Sequence, residues 1–305
     1  MPTLRRVAVL ALGLATSACA AREAPAPVPA PGAAAVPHRV VDAATDRATS
    51  FDALVDRATE VDVVFFGEQH DDAGTHRLQL ALLEALAVRG EEVILSLEMF
   101  ERDVQPHLDD YLAGRIDEST FLSEARPWPN YATDYRPLVE LAKERDWPVI
   151  ASNIPRHYAA GVAEVGLDTL GRLPPDERAL IARDIECPRD DYYARFLTAM
   201  GTHPGAAGEA EQRMARYFDA QCVKDETMAE SIVAALAAWP DAVVVHMTGA
   251  FHSDFGQGIP ARVERRQPGA RIVVVSAVPV TEPGREAVDE HRGRADYLIF
   301  TQRPE

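Results

Sequence analysis

Val61-Asp62-Val63-Val64-Phe65-Phe66-Gly67-Glu68-Gln69-His70 is an apolar, β-branched and aromatic run that breaks at a glycine and reaches a histidine three residues later. The same pattern returns in Val243-Val244-Val245-His246-Met247-Thr248-Gly249-Ala250-Phe251-His252. Runs that are continuously apolar, not alternating, belong to strands covered on both faces, as in parallel sheets. Each histidine is therefore expected at the carboxyl end of a strand, which is the edge of an open α/β sheet where ligands bind. A single Gly-x-x-His is equally well a tight turn that starts a helix. Two in matching settings, the first with an acid at Glu68, point to a site, because imidazole and carboxylate together serve metal ligation or acid/base chemistry.

Outward from these runs, further strands are expected at 93–99, 148–152, 271–278 and 297–301, with helices near 73–88, 137–145, 175–183 and 259–266. That alternation predicts an α/β fold, a mostly parallel open sheet flanked by helices. The interval 161–239 contains no convincing strand and reads as a helical insertion forming a lid or second subdomain. One large domain over 39–305 accounts for the folded body, with no internal repeat.

Three further segments carry polar groups toward the same edge. Glu98 interrupts the apolar strand Ser96-Leu97-Glu98-Met99-Phe100, where a bare carboxylate is costly without a cation or hydrogen-bond partner; a salt-bridged core glutamate satisfies the pattern equally. Arg156, His157 and Tyr158 follow another strand, and the planar guanidinium of Arg156 suits a carboxylate or propionate. Its alternative is a surface ion pair. On a long helix over 209–239, Met214, Phe218, Met228, Ile232 and Leu236 form an apolar stripe that Gln221 and Asp225 interrupt. That polar pair faces either a polar cavity or buried partners. Aromatic residues gather at Trp128, Tyr131, Tyr135, Tyr158, Tyr192 and Tyr193, mostly core filling by type, although a tyrosinate is one axial ligand that haem iron accepts.

The first 18 residues combine Arg5-Arg6, an apolar stretch and Thr16-Ser17-Ala18 ahead of Cys19, the form of a secretory leader too short to span a bilayer. Small residues before the cysteine resemble a bacterial lipobox with Thr16 in place of the usual leucine, so Cys19 is expected to be lipidated; an ordinary signal peptide is the alternative. The segment 19–38 is Ala/Pro-rich and reads as a tether. Formal net charge is −17, and loss of the acid-free leader with its two arginines takes it to −19. Such a surface excludes nucleic acid as a partner and leaves a membrane reachable only through the lipid anchor. Cys187 and Cys222 remain, either as a disulfide in an oxidising periplasm or as two small buried thiols.

Taken in order, Phe65-Phe66-Gly67-Glu68-Gln69-His70, Leu97-Glu98-Met99-Phe100, Ala151-Ser152-Asn153-Ile154-Pro155-Arg156, Gln221 with Asp225, Met228 and Ala229, and Gly249-Ala250-Phe251-His252 resemble the ChaN family of bacterial haem-binding lipoproteins. The resemblance spans about residues 62–278, and the family is similar to the Tiki proteases, TraB-like proteins and erythromycin esterases in its Gly-x-x-His pair and acidic residues. It implies haem as cofactor, a role in iron acquisition and a homodimer, while Ala20 after Cys19, where no aspartate stands, makes the outer membrane facing the periplasm the expected envelope location. Tyr135, Arg156, His157, Tyr158, Gln221 and Asp225 are then the candidate haem contacts. The alternative is a metal-dependent hydrolase, peptidase or esterase, in which Glu68, His70, Glu98 and His252 hold a divalent metal ion or act directly as acid and base. Both readings require those four residues to converge on one crevice.

Overall fold

The order β2-β1-β8-β7-β3-β6-β4-β5 of the single sheet puts both Gly-x-x-His strands side by side at its centre. The computed structural model describes residues 32–201 and 208–303; the leader, Cys19 and the tether through residue 31 lie outside the described residues. The strands are β1 (His38–Asp42), β2 (Arg47–Thr49), β3 (Val63–Glu68), β4 (Val93–Glu101), β5 (Val149–Asn153), β6 (Val243–Gly249), β7 (Ile272–Val280) and β8 (Tyr297–Gln302). All neighbours pair in parallel except β1 with β2 and β1 with β8. The fold is therefore the mostly parallel α/β sheet that the apolar runs predict, with an antiparallel edge that they did not reveal. Arg47-Ala48-Thr49 of β2 carries no apolar run, since it lies exposed at the margin.

The helices are α1 (Phe51–Ala58), α2 (Ala73–Arg89), α3 (Gln105–Leu112), α4 (Glu118–Ala125), α5 (Arg136–Glu144), α6 (Arg156–Val165), α7 (Pro175–Arg178), α8 (Asp191–Ala199), α9 (Glu209–Ala238) and α10 (Ile259–Arg266). Side chains alternate across each central strand. Val64 and Phe66 of β3, Leu95 and Leu97 of β4, and Val245 and Met247 of β6 face a core completed by α2, α3, α4 and α5. Val63, Phe65, Ile94 and Val244 face the opposite layer, where Met228 and Ile232 of α9 and Val263 of α10 close over them. Complete burial of Phe65 and Phe66 contributes roughly 1.5–3 kcal/mol each.

Two boundaries differ from expectation. The tether expected through residue 38 ends earlier: Ala33 and Val36 are buried and pack into the α2-side core, because even a proline-flanked Ala/Val segment fills apolar surface where it passes a helix. Between β5 and β6 the described residues form helices and no strand. The long helix α9, however, is a flank of the sheet and not a lid. The outlying portion is α6 with the segments flanking α7, and α8, whose small apolar clusters dock on Val223 and Phe218 of α9. Cys187, ahead of α8, is joined by a disulfide to Cys222 of α9, and this settles the choice left open by the sequence.

Candidate functional site

Parallel pairing places Glu68 directly beside Gly249 at the carboxyl ends of β3 and β6, and β4 lies on the other side of β6. Strand parity then sends the two carboxylates to opposite faces. Glu68 shares the face of Val64 and Phe66, toward α2; Glu98 shares that of Ile94 and Ser96, toward α9. Both are buried.

Glu68 is fully engaged. Its Oε1 accepts the Tyr135 hydroxyl at 2.6 Å and stands 2.8 Å from His70 Nδ1, and its Oε2 accepts Gln79 Nε2 at 2.6 Å. His76 Nδ1 is 3.6 Å from the same carboxylate. The Asp72 carboxylate starts α2 by accepting the Gly74 and Thr75 amides, an N-cap that aims His76 and Gln79 at the strand end. The backbone carbonyl of His70 accepts Asn130 Nδ2 at 2.9 Å, and the Trp128 ring meets the imidazole edge-on at 4.8 Å. His70 is thus held from behind while 44 % of its side chain stays accessible. Its ring crosses Gly249 so closely that a Cβ there would fall 2.9 Å from Nε2, which makes that glycine a requirement of the site.

Glu98 Oε2 accepts the Thr248 hydroxyl at 2.7 Å and the Gly249 amide at 2.8 Å, while Oε1 lies 3.6 Å from His252 Nε2. His252 Nδ1 is 2.5 Å from Asp225 Oδ1, and the other Asp225 oxygen accepts the Tyr192 hydroxyl at 2.8 Å. Two imidazoles, each backed by its own carboxylate, therefore flank Glu98. Burial opposes ionisation of the Glu98 carboxyl, yet the His252 and His70 charges with the Thr248 and Gly249 hydrogen bonds outweigh it and bring the pKa down to about 2. The same carboxylates outweigh the burial of His252 and His70 and raise both imidazoles above their ordinary value. The pattern is an ionised acid between two bases that hold protons readily.

The expected convergence of Glu68, His70, Glu98 and His252 is present, and Asp225 joins them. Gln221, one turn earlier on α9, does not share a hydrogen bond with them; its buried Oε1 has no partner among the described residues. Tyr135 enters the cluster as a hydrogen-bond donor to Glu68, and burial followed by the Glu68 charge pushes its pKa upward. Arg156 is exposed and ion-paired with Glu101, the surface alternative, because Glu101 at the end of β4 also draws Arg126 and forms a carboxylate node there. His157 is exposed and its ring lies tilted against that of Tyr158, whose hydroxyl donates to Glu177 and whose pKa burial and that carboxylate push up to about 12. None of the three bonds to the histidine cluster among the described residues.

Sequence reasoning missed His76, Gln79, Thr248 and the role of Tyr192. His76 and Gln79 carried the signal that found Asp225: two polar side chains at helical spacing on a face otherwise buried. Among the described residues no group of three or more His, Cys, Asp or Glu side chains is arranged to hold a metal ion. The Nδ1 atoms of His70 and His252 are each committed to a carboxylate, and Glu98 Oε2 already accepts both the Thr248 hydroxyl and the Gly249 amide.

Residues 54–263 match the family described as "Haem-binding uptake, Tiki superfamily, ChaN". The chain is similar in fold to the structure "Cofacial heme binding to ChaN of Campylobacter jejuni", with 16 % identity and a TM-score of 0.63 over 87 % of this chain and 97 % of that one. A weaker likeness, with 14 % identity and a TM-score of 0.44, covers 83 % of this chain and 78 % of an erythromycin esterase. The protein RETICULATA-RELATED 5, chloroplastic, of Arabidopsis thaliana is 25 % identical over 255 residues, 78 % of this chain. The chain spans about a third of the length of that curated relative, 34 %.

Proposed function

The chain belongs to the haem-binding uptake family of the Tiki superfamily, ChaN, and on that premise we propose that it is a haem-binding lipoprotein of the bacterial envelope that serves iron acquisition. The observation that carries the reading is His70. It is an accessible imidazole whose Nδ1 is held by a buried carboxylate and whose Nε2 has no hydrogen bond among the described residues. A carboxylate behind a histidine fixes its tautomer and raises its basicity, the support that a metal-binding imidazole uses. Haem would supply the iron chemistry; the His70 imidazole would hold it, and Trp128 beside it would offer an aromatic wall to the apolar macrocycle. This assigns to His70 the role that the sequence offered to Tyr135 or Tyr158, since both phenols donate to carboxylates and ionise less readily than free tyrosine.

Titrating the purified protein with haemin tests this. The expected result is a Soret shift that saturates at a fixed ratio, is lost in His70→Ala and is kept in Tyr135→Phe. Retention of the shift in His70→Ala overturns the ligand assignment, and absence of any shift in the wild-type protein overturns haem binding. Sedimentation with and without haemin tests the homodimer. Lipidation of Cys19, with Ala20 after it directing the protein to the outer membrane, is tested by fractionation of Cys19→Ala, which is expected in the soluble fraction.

One observation keeps a second reading alive. His252, Asp225 and Glu98 are buried and form an acid/base set of the kind that activates water. A hydrolase reading predicts that His252→Ala abolishes turnover of peptide or ester substrates while His70-dependent haem binding persists.

A further inference from the structure

Along the outer edge of β5 a cavity of about 1090 Å³ runs between α3, the end of α5 and the last turns of α9, with no residue of the histidine crevice in its wall. Its size lies just above the roughly 300–1,000 Å³ common for small-molecule sites. Leu112, Trp147, Leu180, Val233 and Trp239 give it an apolar lining, and Trp239 remains 42 % exposed, unusual for so large an apolar side chain.

An unpaired strand edge beside an apolar groove ordinarily invites another strand. Here that route is closed. The Gln105 side chain donates to the Val149 carbonyl at 2.8 Å and accepts the Ala151 amide at 2.7 Å, so it occupies the outward hydrogen-bonding groups of β5 in the manner of a neighbouring strand. The lining also contains no imidazole, thiol, thioether or phenol, so it offers iron no axial donor of the usual kinds.

One end of the groove is cationic in a chain whose net charge is −17. The half-buried Arg102 guanidinium donates to Glu230 Oε1 at 3.1 Å, Ser231 Oγ at 2.9 Å and the Thr227 carbonyl at 2.7 Å. The remaining Glu230 oxygen accepts the Arg183 backbone amide at 2.8 Å, and the Arg183 guanidinium has no hydrogen bond or ion pair among the described residues. One guanidinium and one backbone amide thus take up the Glu230 carboxylate, and no anion among the described residues pairs with the Arg183 guanidinium. Burial lowers the Arg102 pKa, Glu230 partly restores it, and the charges of Arg266 and Arg183 lower it further, as expected where cations outnumber nearby anions.

We propose that this groove is a second ligand site, separate from the histidine crevice, for an amphipathic monocarboxylate of the long-chain fatty-acid class. The acyl chain lies along Leu112, Trp147, Val233 and Trp239, and the carboxylate meets Arg183 and Arg102. A guanidinium fork matches a carboxylate in two hydrogen bonds, while the tail removes exposed tryptophan and aliphatic surface from water.

The test is displacement of a fluorescent polyene fatty acid from the purified protein by palmitate, compared with hexadecanol, which has the same chain without the charge. Saturable binding at one site is expected, with palmitate at least tenfold tighter than hexadecanol. Ala234→Trp, at an exposed position on α9 that lines the groove, should weaken palmitate tenfold or more with an unchanged circular dichroism spectrum. Arg183→Glu should weaken palmitate but not hexadecanol, and neither variant should alter haemin titration. Absence of saturable binding, equal affinity for acid and alcohol, or no effect of Ala234→Trp overturns the proposal. So does a dimer in sedimentation that Ala234→Trp dissociates, which would make a second copy of the chain the occupant.

Discussion

Replacing Glu98 with glutamine removes one charge from the centre of the crevice and little else. The glutamine carbonyl can still accept the Thr248 hydroxyl and the Gly249 amide, both of which the wild-type Oε2 accepts. What disappears is the attraction between an ionised carboxylate and the imidazoles of His252 and His70. A fall of the Glu98 pKa from 4.5 to about 2 corresponds to roughly 3 kcal/mol at about 1.4 kcal/mol for each tenfold change in proton affinity. Because the folded value is depressed, this stabilisation is fully present above pH 4.5 and is lost as the pH falls toward 2. Its imidazole partners behave oppositely: their folded values are raised above 6.5, so their contribution is present below 6.5 and lost as pH rises through the folded values. Urea denaturation of wild type and Glu98→Gln between pH 2.5 and pH 8 reads these windows directly. The stability difference is expected to be about 3 kcal/mol at pH 5 and to shrink steadily toward zero near pH 2. A difference that stays constant from pH 5 to pH 2.5 would refute the coupling of Glu98 to the two histidines.

Three other outcomes follow from single contacts. His246 is buried on β6 with Nδ1 2.9 Å from Ser96 Oγ, and burial lowers its pKa to about 4, so the wild type loses roughly 3 kcal/mol as pH falls from 6.5 through 4; His246→Gln should remove that acid step from the urea midpoints. Gly249 has an ordinary φ of −56°, so Gly249→Ala acts only through its methyl group, which must displace the His70 ring; haemin affinity should fall while the melting temperature moves little, and unchanged affinity would contradict the close approach. Cys187→Ser with Cys222→Ser opens a loop of 35 residues and should cost roughly 3–4 kcal/mol in urea unfolding, with two extra thiols appearing in the reduced wild type by thiol titration.

The two strand runs announced the fold because parallel strands buried on both faces must be apolar throughout, and β3, β4 and β6 are buried along their whole length. The edge hairpin was illegible for the opposite reason: β2 is exposed and short, and its pairing depends on β1 and not on its own composition. Among site residues, Glu98 and Asp225 are legible as charges inside apolar patterns, and Glu68 as the acid within the first Gly-x-x-His motif. Arg156, His157 and Tyr158 are equally good candidates by residue type, but Glu101 and Glu177, which bind Arg156 and Tyr158, come from elements whose orientation the local sequence does not encode. His76 and Gln79 are harder to find, because they lie on a helix otherwise buried on most of its faces, where a polar pair stands out only against its packed neighbours.

Parity explains why the crevice needs both motifs. Side chains on one strand alternate between faces, so Glu68 and Glu98 point into different helical layers and neither layer alone could assemble the cluster. The sheet ends where they meet, and there the chain after β3 and the chain after β6 each fold back over the edge carrying a histidine. His70 reaches across Gly249 from the α2 layer, and His252 is turned toward Glu98 by Asp225 in the α9 layer. The glycine at the end of β6 removes the one side chain that would separate the two halves. Each motif thus contributes half of the site, and the glycine lets the halves share Glu98.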